Sequence, residues 1–330
     1  MYTSHRLDEF VSIIIANHNG KEYLDKCLDS LKNTKYSNFE IVVIDNNSTD
    51  SSLELVKQNY PHVKLIELKQ NLGFAASNNL AAREARGEFC IFLNNDTIVT
   101  STWLSELVRS LIRGKDKQVA IAQSFLLRPD GRVDSSGDFI DRFGRSYSSI
   151  LRNPPEDREI LSARGACMIV RKEIFWKLGG FEEDFFASFE DVHLGWKAWI
   201  AGYKVVLASN SIVYHFGGQT VKGLKSTINF HSMKNQTCVI LLNFEFPLGI
   251  KNLLVLFPSY LPKVNIHKKD IIEVAYSNPI LLKDVFKTFF WICRHAFTLY
   301  KKYRLINRMR VRSTSCLLKI GLITNKLNEK

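Results

Sequence analysis

Residues 40–50 read Glu40-Ile41-Val42-Val43-Ile44-Asp45-Asn46-Asn47-Ser48-Thr49-Asp50, an apolar β-branched run that ends in a polar turn. A run of this kind is typical of a strand that is buried on both faces of a parallel sheet. Ser48 or Asp50 could cap a helix that follows near residues 53–58. The segment therefore predicts one strand–turn–helix unit of a parallel sheet.

The same unit recurs along the first part of the chain. Strand-like runs are predicted over 11–16, 63–68, 89–93 and 119–124, and helical spacing of apolar residues is found over 23–31, 74–86 and 103–112. Further on, 166–170 and 204–208 are strand-like, and 189–201 predicts a helix. Repeated βα units imply an α/β fold, an open and mostly parallel sheet flanked by helices on both faces.

Polar clusters follow three of these strands, at residues 17–20, 45–50 and 94–97. In open α/β sheets, ligands bind at the carboxyl ends of the strands. The first strand is not followed by GxGxxG, and GxxxxGK[ST] occurs nowhere, which disfavours dinucleotide and P-loop sites. Carboxylates and carboxamides at the strand ends can instead bind a base or ribose, and a carboxylate can bind a hard divalent cation.

A set of short motifs carries a resemblance to a known family. In chain order they are Asn17-His18-Asn19-Gly20, Asp45-Asn46-Asn47-Ser48-Thr49-Asp50, Asn71-Leu72-Gly73-Phe74, Leu93-Asn94-Asn95-Asp96-Thr97, Gly165-Ala166-Cys167, Gly179-Gly180-Phe181, Phe189-Glu190-Asp191-Val192-His193-Leu194 and His215-Phe216-Gly217-Gly218. Over about residues 12–218 the chain resembles family 2 glycosyltransferases of the GT-A fold, in a rhamnosyltransferase-like branch. The resemblance implies a GT-A domain over 1–225, followed by a basic, mainly helical region over 226–330.

The resemblance also implies a site for a nucleoside-diphosphate sugar. Its implied residues are Asn17, Asp45, Asn46, Gly73, Asn78, Asn94 and Asp96. Asp45 and Asn46 would face the nucleobase and ribose, although the family often has two aspartates there. An amide oxygen can still accept a hydrogen bond from a pyrimidine N3–H. The alternative for Asp45 is that it only caps its turn.

Asn94-Asn95-Asp96 matches the DxD motif of the family with only its last acid retained. The resemblance implies that Asp96 and His215 hold a divalent metal, Mn²⁺ or Mg²⁺, that bridges the donor phosphates. A metal in that position stabilises the charge that develops on the leaving nucleoside diphosphate. A structural histidine is the alternative for His215.

Glu190 and Asp191 form the acidic pair of the family motif. The resemblance implies that Asp191 is the general base of an inverting transfer, with Glu190 on the acceptor side. An acidic pair that begins a helix also suits the helix dipole, and this reading is compatible with catalysis. His193 departs from the aspartate common at its position. Trp196 is a candidate for stacking on an acceptor sugar, with core packing as its alternative.

The positive charge of the chain is concentrated at its C-terminal end. Residues 226–330 hold 17 Lys and Arg against 5 Asp and Glu, an excess that equals the net charge of +12 of the whole chain. Lys287, Arg294, Lys301 and Arg308 recur every seven residues, beside an apolar stripe of Phe286, Phe290, Cys293 and Phe297. A basic amphipathic helix of this kind suits an anionic membrane surface. The alternative is a helix packed on the domain with a solvated basic face.

No signal peptide and no apolar run of bilayer-spanning length is found in the sequence. We therefore expect a cytoplasmic protein, peripheral on the cytoplasmic face of the membrane. The expected activity is inverting transfer of a hexose, from dTDP-rhamnose or a UDP-hexose, to a glycan or lipid-linked acceptor in cell-surface polysaccharide synthesis. The alternatives are a non-catalytic nucleotide-sugar-binding protein and, with less support, a nucleic-acid-binding module. No nucleic-acid partner is expected, because no recognised motif for one is present.

Overall fold

The computed structural model describes residues 9–112, 118–152, 154, 156–217, 225–256 and 282–324. The strands are β1 Val11–Asn17, β2 Phe39–Asp45, β3 Lys64–Glu67, β4 Phe89–Leu93, β5 Thr97–Val99, β6 Val119–Leu127, β7 Val133–Ser135, β8 Asp138–Asp141, β9 Ser146–Ser148, β10 Arg158–Glu159, β11 Cys167–Arg171, β12 Lys204–His215 and β13 Ile323–Thr324. The helices are α1 Lys21–Leu31, α2 Ser52–Asn59, α3 Gly73–Glu84, α4 Trp103–Ile112, α5 Lys172–Lys177, α6 Glu190–Ile200, α7 Lys225–Asn243, α8 Leu248–Leu256, α9 Leu282–Arg294, α10 Ala296–Arg308 and α11 Thr314–Lys319.

The large sheet has the strand order β10-β12-β6-β11-β4-β1-β2-β3, with β5 and β7 paired at β12 and β6. β1 pairs in parallel with β2 and with β4, β2 pairs in parallel with β3, and β6 pairs in parallel with β12. β11 runs antiparallel to both β4 and β6. The expectation of a mostly parallel, open sheet is therefore confirmed.

Alternate residues of the central strands feed two separate cores. Ile13 and Ile15 pack with α1 and α4, whereas Ile14 and Val42 pack with α3 and α6 on the other side. All four side chains are fully buried. Burial of an aliphatic side chain contributes about 1.5–3 kcal/mol, so a strand covered on both faces is strongly held. This rigid centre fixes the strand ends that carry the polar clusters.

Residues 128–155 are polar and contain glycine and proline, a composition that predicts loops or an irregular hairpin. β8 and β9 form a hairpin, and β13 from the far end of the chain pairs in parallel with β8. The result is a second, three-stranded sheet. The hairpin agrees with that prediction, whereas the pairing of β8 with β13 has no local signal because β13 lies at residues 323–324.

The basic region begins with α7, which packs on α6 and on both α9 and α10. The seven-residue repeat of basic residues predicts one helix, but the structure breaks it at His295 into α9 and α10. The His295 ring stacks on Trp291, with ring centroids 4.1 Å apart. None of the helices in the described ranges has both the length and the hydropathy to cross a bilayer. The division at residue 225 coincides with the start of α7 and stays a prediction.

Candidate active site

A cavity of about 290 Å³ lies at the carboxyl ends of β1, β2 and β4. The residues predicted for the site that line it are Asn17, Asn46, Gly73, Asn94, Asp96, Glu190, Asp191 and His215. They come from the strand ends, from the first turn of α3, from the first turn of α6 and from the end of β12. The sheet thus brings together side chains that are almost 200 positions apart in the chain.

Side-chain amides form the wall of the cavity beside β1 and β2. Asn95 donates from Nδ2 to Asn17 Oδ1 at 2.7 Å, and Asn17 donates from Nδ2 to Asp45 Oδ1 at 3.1 Å. Asn46 Oδ1 accepts from Leu72 N at 2.7 Å, and its Nδ2 donates to the Gly73 carbonyl at 3.1 Å. Asn46 therefore fixes the start of α3 relative to the end of β2.

Gly73 sits where the first turn of α3 meets the segment before α6. Its φ of +78° favours glycine, and a Cβ there would lie 2.3 Å from the Phe186 carbonyl oxygen. Phe74 N donates to the same carbonyl at 2.7 Å. The glycine therefore allows the backbone at the start of α3 to contact the backbone of the segment before α6.

Three predicted residues do not line this cavity. Asp45 lies behind it, where its Oδ2 accepts from Ser48 N at 2.8 Å, so the structure shows the capping contact for this side chain. Asn78 is buried in α3 and donates to the Phe74 carbonyl at 2.9 Å. Trp196 is fully buried and packs edge-on against Phe244. A ring with no exposed surface cannot stack on a sugar, so the acceptor role predicted for Trp196 is wrong, and Asn78 is not placed to contact a donor.

Asp191 is held at the first turn of α6. Its Oδ2 accepts from Gly165 N at 2.9 Å, and its Oδ1 accepts from Val192 N at 2.8 Å. The two residues before α6, Ser188 and Phe189, have φ values of 73° and 68°. Non-glycine residues in the left-handed region carry strain, and such strain is common where a backbone is shaped for function.

The two acids differ in how they are held. Burial, with the nearby charge of Asp138, raises the pKa of Asp191, although hydrogen bonds from Gly165 and Val192 oppose the shift. Burial and the charge of Asp191 raise the pKa of Glu190 well above its ordinary value of 4.5. Glu190 Oε2 has no hydrogen-bond partner within the described residues. A base with a raised pKa holds an abstracted proton better than an exposed aspartate does.

His193 is not part of the cavity. It is buried against the Phe185 ring, and burial, with the charges of Lys197 and Lys302, lowers its pKa well below 6.5. The imidazole is therefore a neutral part of the core. Its departure from the family motif leaves the acidic pair at Glu190 and Asp191 intact.

Asp96 and His215 lie beside each other in the wall of the cavity. β5 pairs with the end of β12, so that Thr97 lies opposite His215, and Phe216 N donates to the Asp96 carbonyl at 2.9 Å. His215 Nε2 lies 3.4 Å from Asp96 Oδ1, and its Nδ1 lies 2.7 Å from Asp134 Oδ2. Burial lowers the pKa of His215, but the hydrogen bonds to Asp134 and Asp96 outweigh it and raise the pKa above 6.5.

The Asp96–His215 pair suits a divalent cation. Two ligands about 2.1 Å from one ion lie roughly 3.0–3.4 Å apart, which matches this separation. Across the described ranges, no cluster of three or more His, Cys, Asp or Glu side chains could hold a metal.

Three functional candidates were not found from the sequence. Arg164 lines the cavity and binds Asp138, from Nη2 to Oδ1 at 3.2 Å. Asp134 holds His215, as described above. Asn235 of α7 donates to the carbonyls of Ala187 and Ser188 at 2.9 and 2.7 Å, immediately before α6. Each of the three residues is separated from its hydrogen-bond partner by 26 to 81 positions in the chain. No local sequence motif can therefore predict these contacts.

Together, the mixed sheet and the acid-lined cavity at its strand ends define a GT-A fold. The structure aligns with a crystal structure of GalNAc-T7 with UDP, GalNAc and Mn²⁺, at a TM-score of 0.62 and 18% identity, covering 91% of this chain and 59% of that one. A family model described as Glycosyl transferase family 2 matches residues 12–179, half of the chain. The chain belongs to glycosyltransferase family 2.

The chain is also similar in sequence to an O-antigen biosynthesis protein and to a rhamnosyltransferase. The O-antigen biosynthesis protein RfbC of Myxococcus xanthus is 32% identical over 220 residues, which cover 62% of this chain and 17% of that protein. An N-acetylglucosaminyl-diphospho-decaprenol L-rhamnosyltransferase of Mycobacterium tuberculosis is 25% identical over 252 residues, covering 68% and 82% of the two chains. The chain thus spans less than a fifth of the length of the first of these relatives.

Proposed function

We propose that the chain is an inverting hexosyltransferase that moves a sugar from a nucleoside-diphosphate donor to a hydroxyl acceptor. The observation that carries the proposal is Asp191, held by two backbone N–H groups at the edge of the same cavity that Asp96 and Asn46 line. Family membership and the fold support this activity.

In the proposed reaction, Asp191 accepts the proton of the attacking acceptor hydroxyl. The acceptor oxygen bonds to the anomeric carbon while the bond from that carbon to the donor phosphate breaks, so the nucleoside diphosphate leaves from the opposite face. The proton ends on the Asp191 carboxylate, which the raised pKa favours. Attack opposite the leaving group inverts the anomeric centre.

Asp96 and His215 would hold the divalent metal that we propose as cofactor. When bound, such an ion stabilises negative charge on the departing diphosphate. An imidazole ligand favours Mn²⁺ over an all-oxygen Mg²⁺ site. The GalNAc-T7 structure, which has the same fold, contains Mn²⁺ with UDP. We expect activity to be lost in EDTA and restored by Mn²⁺ or Mg²⁺; an undiminished rate in chelator would remove the metal from the mechanism.

We base the proposed donor and acceptor on the named relatives. A rhamnosyltransferase acting on a diphospho-decaprenol and an O-antigen biosynthesis protein are among the similar proteins. We therefore propose dTDP-rhamnose or a UDP-hexose as donor. We propose that the sugar is transferred to a glycan or lipid-linked acceptor in cell-surface polysaccharide synthesis.

The decisive variant is Asp191→Asn, which keeps an oxygen for one backbone N–H but cannot accept the proton. We expect turnover, measured as nucleoside diphosphate release over a panel of donors and acceptors, to fall by about 10²–10⁴-fold. Donor affinity by calorimetry should change less than about threefold. Unchanged turnover would refute the assignment of Asp191. Donor binding without turnover in the wild-type protein would favour the non-catalytic alternative.

We further propose that the basic region docks on an anionic membrane at the cytoplasmic face. The "tail face" comprises the exposed aromatics Phe286, Phe289, Phe290 and Phe297 with the exposed basic residues Lys287, Arg294 and Lys301. Phe290 and Phe297 are 67% and 69% exposed, an unfavourable state in water for large apolar rings. Each basic residue near an anionic surface contributes about 1 kcal/mol. Exposed rings beside exposed cations favour a lipid interface over a merely solvated helix.

A further inference from the structure

Asp134 stands outside every motif of the sequence, yet its side chain is 2% exposed and directed at the cavity wall. It lies on β7, the short strand that pairs antiparallel with the end of β6. Its Oδ2 is 2.7 Å from His215 Nδ1, much closer than the 3.4 Å that separates His215 Nε2 from Asp96 Oδ1. Of the two carboxylates beside the imidazole, Asp134 makes the shorter contact.

Two guanidinium groups compensate the buried charge of Asp134. Arg128 pairs with Oδ1, and Arg164 Nη1 lies 3.6 Å from Oδ2. Arg164 is itself fixed on Asp138, at 3.2 Å. A carboxylate held in this way acts as a fixed acceptor for the Nδ1–H of the imidazole, because reorienting it would break its contacts with both arginines.

We propose that Asp134 is a positioning residue, which keeps the proton of His215 on Nδ1 and thereby presents Nε2, beside Asp96, to a divalent cation. The inference rests on the proposed metal site and names what orients it. A hydrogen bond at one ring nitrogen fixes the tautomer and orientation of a metal-binding histidine, and loss of such a partner costs about 10–100-fold in metal affinity.

The variant that tests this is Asp134→Asn, whose amide can donate to Nδ1 and so stabilise the tautomer with the proton on Nε2. The matched control is Asp138→Asn, since Asp138 binds the same Arg164 but is not paired with His215 in the described part of the chain. Free Mn²⁺ is measured by electron paramagnetic resonance, with the metal alone and with UDP or dTDP added. We expect a 10–100-fold weaker Mn²⁺ affinity for Asp134→Asn and less than about a threefold change for Asp138→Asn.

Equal Mn²⁺ affinity in Asp134→Asn and the wild type would overturn the inference while leaving the metal in place. No Mn²⁺ binding by the wild type would overturn it together with the proposed metal, but not Asp191 as base. A second measurement needs no variant and covers the case in which Asp134→Asn fails to fold. The ¹⁵N spectrum of histidine-labelled, metal-free protein at about pH 9 should show His215 protonated on Nδ1; protonation on Nε2 would overturn the inference.

Discussion

Glu190 and Asp191 place two carboxylates side by side in a buried first turn of α6, although a buried charge is costly. The backbone N–H groups of Gly165 and Val192 stabilise Asp191, whereas Glu190 Oε2 has no such partner in the described chain. The pair therefore opposes stability, and we expect function rather than folding to account for it.

A substitution at Glu190 tests this cost. The pKa of Glu190 is raised above 4.5, so the folded state binds its proton more tightly than the unfolded state does. The stability contributed by the protonated form is complete below about pH 4.5 and is lost as pH rises towards the folded pKa. We therefore expect Glu190→Gln to raise the Tm by about 2–4 °C at pH 7.5, with a smaller gain at pH 5.

The control is Glu84→Gln, because the Glu84 side chain is 62% exposed. Its free energy of unfolding should change by less than about 0.5 kcal/mol at either pH. A lower Tm for Glu190→Gln at pH 7.5, measured by calorimetry, would contradict the proposed cost of the acidic pair.

At the scale of elements, α7 supports the turn that presents Asp191. Asn235 donates to the carbonyls of Ala187 and Ser188, and Phe186 packs on the His231 ring at 5.2 Å between centroids. The left-handed backbone at Ser188 and Phe189 is thereby held from outside its own loop. The C-terminal region is therefore part of the support of the site, wherever the domain boundary lies.

This support predicts the effect of Asn235→Ala. Loss of two hydrogen bonds, each about 0.5–1.5 kcal/mol, would let the strained turn relax and move Asp191. We expect kcat to fall by about 10–100-fold with donor affinity little changed. The matched control is Gln236→Ala, which removes a similar hydrogen bond, to the Gly144 carbonyl, on the same helix. An equal loss of kcat in both variants would show a general effect of α7 and contradict this role.

Local patterns predicted most elements but few of their long-range partners. The strand predicted at 40–45 is Phe39–Asp45, and the helix predicted at 189–201 is Glu190–Ile200, because apolar runs and helical spacing are local signals. The pairing of β8 with β13 was missed because the two strands are far apart in the chain. The same holds at the site. Most cavity residues follow strand ends or begin helices, which are local signals, but Asp134 contacts His215 from 81 positions away in the chain.

At the scale of the whole molecule, the positive charge concentrated in residues 226–330 and the exposed rings of the tail face predict a protein that works against a membrane surface. Flotation with liposomes tests this directly. We expect binding to vesicles rich in phosphatidylglycerol, weak binding to phosphatidylcholine alone, and loss of binding when Phe286, Phe290 and Phe297 are all replaced by Ser.

Exposed apolar residues elsewhere provide the control. Ile150 and Leu151 are 68% and 43% exposed outside the tail face, so a double replacement by Ser should leave flotation unchanged. Equal flotation with phosphatidylglycerol-rich and phosphatidylcholine vesicles would contradict the docking proposal. A salt-sensitive gel shift with DNA or RNA, without flotation, would favour the nucleic-acid alternative instead.

The central claim is that Asp191 deprotonates the acceptor for attack opposite the leaving diphosphate. The most direct measurement is the anomeric configuration of the first product, followed by proton NMR with a donor selected from the panel. In-line attack predicts a product of inverted configuration, formed by the wild type and not by Asp191→Asn. A product that retains the configuration of the donor would contradict the claim.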